Sequence, residues 1–112
     1  VEWLEPWESV EPVRTDDPSA FGRGWEAELR KEVVPGHVLH GLAVTLIARR
    51  YDRDDALFQM QDGRVAQVHL TWKQAPELDP RWPETVLYPS LQAWADTGQR
   101  RDHDEWLADN GQ

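Results

Sequence analysis

The stretch ALFQMQDGRVAQVHLTW, residues 56–72, decides the fold. Two runs of alternating apolar side chains flank Asp62-Gly63, the composition of a β-hairpin. A two-residue Asp62-Gly63 loop would pair Met60 with Val65 and Phe58 with Gln67. A three-residue loop, Gln61-Asp62-Gly63, pairs Phe58 with Ala66 and Ala56 with Val68. The second register puts Ala56, Phe58 and Met60 on one face with Ala66, Val68, Leu70 and Trp72. A slip of one residue would turn every side chain to the other face, so the three-residue loop is expected. Gly63 then takes the left-handed position of a type I turn with a G1 bulge.

Working outward, residues 42–51 (LAVTLIARRY) read as a strand. Leu42, Val44, Leu46 and Ala48 face one way, and Thr45, Ile47 and Arg49 the other. ETVLY at 84–88 adds a short further strand. Upstream, Asp17-Pro18 is a helix start, and Phe21, Trp25, Leu29 and Val33 recur every four residues up to Pro35-Gly36. Glu26 and Arg30 form an i,i+4 pair. Downstream, Ser90 caps a helix carrying Leu91, Trp94 and Ala95 that stops at Gly98. Asp102 with Glu105 resembles a capping box opening a last helix. Pro6 and Pro12 keep residues 1–17 extended. The expected fold is α+β: a central antiparallel meander of three to four strands, helices packed on one face, and an N-terminal docking arm. The 112 residues make one domain, with the arm at 1–17, the core at 18–101 and an acidic helical segment at 102–112.

Charge sits at the two ends. The net charge is −9, of which residues 1–17 hold −5, residues 102–112 hold −4 and the middle none. A nucleic-acid partner is disfavoured, because phosphate contacts need a basic face. A basic protein partner is favoured. There is no cysteine and no run of 18 apolar residues, and Val1-Glu2-Trp3 does not open a signal peptide, so a cytoplasmic protein off the membrane is expected.

Motifs for chemistry are sparse. There is no Gly-x-Ser-x-Gly, Walker A, Gly-x-Gly-x-x-Gly or His-Glu-x-x-His signature. His37 and His40 have helical metal-ligand spacing but lie between Pro35-Gly36 and Gly41, where packing or capping is the simpler role. Asp52, Asp54 and Asp55 fail the calcium-loop pattern, since the sixth and twelfth positions counted from Asp52 hold Leu57 and Gly63. No metal or cofactor is implied. Seven tryptophans are the compositional outlier. Trp25, Trp72 and Trp94 fall on core faces. Trp3, Trp7, Trp82 and Trp106 lie in arm, loop and terminal segments, where tryptophan suits an interface anchor.

ARRYDRDDALFQMQDGRVAQVHLTW (48–72) and the later WPETVLYPSLQAW (82–94) resemble a family of small bacterial proteins without an assigned activity. In size, acidity and tryptophan content the chain is also similar to immunity proteins that neutralise bacterial toxins. The leading expectation is therefore a non-enzymatic domain that binds a basic protein. Trp3, Trp7, Trp82 and Trp106 would anchor it, and Glu5, Glu8, Asp104 and Glu105 would steer it. The alternative is a small-ligand domain or minor enzyme on the polar sheet face of Thr45, Gln67, His69 and Thr71, with His37 or His40 nearby. Pairing of exposed hairpin edges into a homodimer is a third route.

Overall fold

The computed structural model describes residues 1–10, 20–76 and 78–110, with side chains of the first helix from residue 24 onward. The helix start at Asp17-Pro18, Pro12, the Phe21 side chain and the last two residues lie outside the described residues.

The hairpin is built as its alternation demands. Strands β3 (Asp55–Met60) and β4 (Val65–His69) pair Phe58 with Ala66 and Ala56 with Val68. The Met60 N–H donates to Arg64 at 2.9 Å, the Gly63 N–H donates to Met60, and Gly63 sits at φ +95°. Asp62 accepts from the Arg64 backbone and holds its guanidinium at 2.8 Å, tightening the turn.

Among the described residues the sheet has five strands, not three or four. The order is β1-β2-β3-β4-β5, antiparallel throughout, with β1 (Trp7–Ser9) on one edge, β2 (Val44–Arg50) beside it and β5 (Glu84–Tyr88) on the far edge. The additional strand comes from the expected arm. Pro6 cannot donate to a ladder, but β1 begins just after it and occupies an edge, where that restriction lapses.

The helices do not share one face. Helix α1 (Ala20–Glu32) sets Trp25 and Leu29 against Leu46, Ala56, Phe58, Met60, Ala66 and Val68. On the opposite face, Trp7, Ala48, Leu57 and Val65 surround Trp94. The cause is visible in β3 and β4, where residues on both faces are apolar. A sheet buried on both sides needs two covering layers. Strand β2 contributes to both layers through a bulge between Leu46 and Ala48. The additional residue, Ile47, rotates Ala48 onto the face of Leu57, away from Leu46, against the simple alternation. The groups the bulge displaces are satisfied from outside β3: Glu26 accepts from the Leu46 N–H at 2.9 Å, and Val10 donates to the Ile47 carbonyl at 2.9 Å.

The second layer is one continuous helical rod. Ser90 caps α2 (Leu91–Trp94) by accepting from the Ala93 N–H. A π-helical turn, Ala95–Gln99, then leads directly into α3 (Arg100–Asn110). Gly98 does not stop the helix. A Cβ there would lie 2.7 Å from the Tyr88 hydroxyl and 2.9 Å from Trp94, so the residue is the close-approach point of the rod on β5. Asp102 does not cap a helix either. It lies in the first turn of α3, 4 % exposed, facing the sheet.

On the other layer, α1 presents acids to backbone. Glu32 accepts from the Thr71 and Trp72 N–H groups at 3.1 and 2.9 Å, and Glu28 accepts from Gln74 at 2.9 Å. Trp72 and Gln74 hold positive φ, and these three bonds fix that turn. Glu32 is fully buried, and its carboxyl is pushed up to about 7 by burial and by the neighbouring Glu28.

Candidate functional site

Two sites emerge, both at α3. The first is a cleft of about 240 Å³ between the ends of β3, β4 and β5 and the helix. Its floor is a buried chain of polar side chains. Asp102 accepts from Trp7 Nε1 and Gln67 Nε2, each at 3.0 Å. Gln67 in turn accepts from Trp94 Nε1 at 2.9 Å and lies 3.4 Å from Asp55. Asp55 holds His69 Nδ1 at 2.5 Å. Arg50, 2 % exposed, forks onto Asp52 with two 2.9 Å bonds and reaches Asp102 at 3.7 Å. Every buried donor here thus meets an acceptor, as a dry interior requires. The Asp55 carboxylate accepts from Nδ1 of His69 and so fixes the ring, leaving Nε2 as its second polar position. Arg53, Glu84, Arg101 and Glu105 complete the walls.

The second site is an aromatic patch on the outer side of α3. Trp106 meets Tyr51 edge-on at 6.4 Å and 86°, and stacks with His103 at 6.4 Å and 20°. Tyr51 donates to Glu5 at 2.6 Å, and His103 Nδ1 lies 2.5 Å from the Glu5 carbonyl oxygen. That bond to a carboxylate pushes the Tyr51 hydroxyl up to about 12. Tyr51 and Leu107 are exposed, and Asp104 is exposed on the same helix.

The expected interface residues divide. Trp106 and Glu5 come together at the patch through Tyr51 and His103, Asp104 is exposed on α3 away from the ring, and Glu105 lines the cleft. Trp7 is a correction: at 2 % exposure it is a core residue, its ring edge-on to Trp94 at 5.0 Å. Pairing of β1 with β2 carries it inward. Trp3, half-buried, tilts against Trp94 at 5.7 Å, because the Gln99 side-chain amide clamps the Leu4 N–H and the Glu2 carbonyl like a neighbouring strand. Glu8 is engaged by Arg49 at 3.0 Å. Trp82 is exposed beside Arg81 and Glu84, apart from the patch.

The alternative ligand face also divides. Gln67 and His69 meet in the cleft. Thr45 pairs with Gln59 and so lies at the turn end of the hairpin, whereas His69 pairs with Asp55 at the other end. The Thr71 backbone is taken by Glu32 on the α1 layer. His37 is buried, with Nδ1 accepting from Leu39 and Nε2 donating to the Pro83 carbonyl, so neither nitrogen is available to a metal. His40 lines a separate groove with Leu29, Val33 and Leu42. Among the described residues no group of three or more His, Asp or Glu is placed to hold a metal ion, and no helix is long and apolar enough to cross a membrane.

No family model, curated protein or solved structure matches this chain.

Asp55, Asp102, Tyr51, Arg53, Glu84 and Arg101 were not expected at either site. Asp55 had a signal, standing in register with His69 once the three-residue loop is chosen. Tyr51 had none, because its neighbour Glu5 is 46 residues away.

Proposed function

We propose that this chain is a non-enzymatic protein-binding domain, an immunity-like or regulatory partner of a more basic protein. One observation carries the reading: exposed Tyr51 and half-buried Trp106, from distant parts of the chain, form an aromatic pair at 6.4 Å beside the Glu5 carboxylate. Such a pair supplies rigid apolar area at low entropic cost. Glu5 beside it and Asp104 on α3 belong to the two chain ends that hold the whole net charge of −9. Aromatic anchor and acidic rim together suit a basic surface and speed its approach. The residues that recognise the partner are Tyr51, Trp106 and Leu107, with Glu5 and Asp104 steering.

The test is capture from native extract by immobilised protein, with Trp106→Ala and Lys31→Ala run in parallel. Lys31 is exposed on the other layer and serves as control. The reading expects one basic protein at near-stoichiometric yield, retained by Lys31→Ala and lost by Trp106→Ala. Retention indifferent to Trp106, or no retained protein at all, would overturn it.

A further inference from the structure

The polar cleft presents an unusual set of free groups. Among the described contacts, Glu84, Glu105 and Arg53 make no ion pair, and Nε2 of His69 has no hydrogen-bond partner. The other charged residues lining it are already engaged. Asp55 is held by His69 and Gln67, and Asp102 by Trp7, Gln67, Arg50 and Arg101. Among carboxylates and guanidiniums, the lining residues hold four carboxylates against Arg53 and Arg101, a net −2. The free groups are therefore mostly acceptors: two carboxylates, with the second ring nitrogen of His69 beside them in the lining.

Convergent acceptors in a negative, half-enclosed cleft select a donor-rich cation. At about 240 Å³ the space lies below the range of drug-sized pockets, and its lining is chiefly polar. We propose that this cleft is a binding site for a guanidinium or primary ammonium group. The carboxylates of Glu84 and Glu105 take its charge, and His69 Nε2 accepts one of its N–H bonds. Asp55 acts as a positioning residue, since it holds Nδ1 of His69, and Gln67 reaches Asp55 in turn. Arg53, at the wall, offers an anchor for an anionic substituent on the same ligand. The cation can come from a free amino-acid-like molecule or from a basic side chain of a protein. The site stands on residues other than the aromatic patch, so either reading can fail alone.

The experiment is an amide and side-chain NMR titration of ¹⁵N-labelled protein with methylguanidinium and, separately, methylammonium, against sodium chloride at matched ionic strength. The expected result is saturable shifts confined to Asp55, Gln67, His69, Glu84 and Glu105, with a dissociation constant on the order of millimolar for so small a probe. Glu84→Gln with Glu105→Gln should weaken it at least tenfold. Both residues are exposed, so an otherwise superimposable spectrum confirms that the variant is folded. Free arginine binding tighter than a blocked arginine peptide identifies a small-molecule site with Arg53 on the carboxylate, and the reverse order identifies a protein side chain. Shifts matching those of sodium chloride, shifts spread over all acidic segments, unchanged affinity in the double variant, or preferential binding of acetate or phosphate would each overturn the proposal.

Discussion

Raising the pH from 5 to 8 should destabilise this protein through one buried carboxyl. Glu32 is fully buried and its carboxyl is pushed up from 4.5 to about 7, first by desolvation and then by Glu28. A group whose folded pKa lies above its unfolded value binds its proton more tightly in the native state. Its stabilising contribution is complete below 4.5 and is lost as the pH rises through about 7. At about 1.4 kcal/mol per unit, that interval is worth about 3 kcal/mol, or roughly ten degrees in Tm for a domain of this size. The decisive comparison is with Glu28→Gln, which differs from the parent at one ionisable side chain. That amide keeps an acceptor for the Gln74 N–H and replaces the proton shared with Glu32 by its own N–H donors. Every histidine is retained. Thermal unfolding measured at half-unit steps between pH 5 and 8 should give a steep fall for the parent and a clearly shallower one for the variant. Parallel curves for the two proteins would refute the reasoning, because the shared proton would then have no thermodynamic weight.

Asp102→Ala removes the acceptor of both Trp7 and Gln67 and one counter-ion of buried Arg50. Asp52 still pairs with that arginine, so the loss should be near the low end for a broken buried pair, about 3 kcal/mol, read from the urea midpoint at unchanged m-value. Gly98→Ala should destabilise by about 1–2 kcal/mol despite the better helix former, because its Cβ meets the Tyr88 hydroxyl at 2.7 Å. Gly63→Ala should cost about 1 kcal/mol for a different reason, since the space is open but φ is +95°, and an Asn there should recover part of the loss. Trp106→Ala, at a half-buried ring, should leave the urea midpoint within about 1 kcal/mol of the parent while abolishing partner capture.

The hairpin was legible because period-two alternation and one glycine leave a single register that buries both strands. Ser90 as a helix cap was legible for the same local reason. What escaped depends on distant contacts. Leu57 and Val65 signal a second buried face only when weighed beside Phe58 and Ala66, and without that step the helices collapse onto one side. The bulge at Ile47 leaves no composition signal, yet it decides which core Ala48 joins. On α1, reading Trp25, Leu29 and Val33 at every fourth residue hid that Glu28 and Glu32 share the face of Trp25 and Leu29 at i+3 and i+7. Asp102 with Glu105 matches a capping pattern, and nothing local reveals that Trp7, 95 residues away, donates to it. Part of the candidate cleft was foreseen through Gln67 and His69 on one strand face. The walls were not, because Arg53, Glu84 and Arg101 come from three separate segments.

Binding of a basic partner at the aromatic patch is best tested by the association and dissociation kinetics of the captured protein, followed at low and moderate salt for the parent, Glu5→Gln with Asp104→Asn, and Trp106→Ala. The association rate should fall with salt and fall again when the two acids are neutralised. The dissociation rate should rise roughly thirtyfold or more in Trp106→Ala, as for a central anchor. An association rate indifferent to salt and to both acids, together with a dissociation rate unchanged by Trp106→Ala, would rule the patch out as the interface.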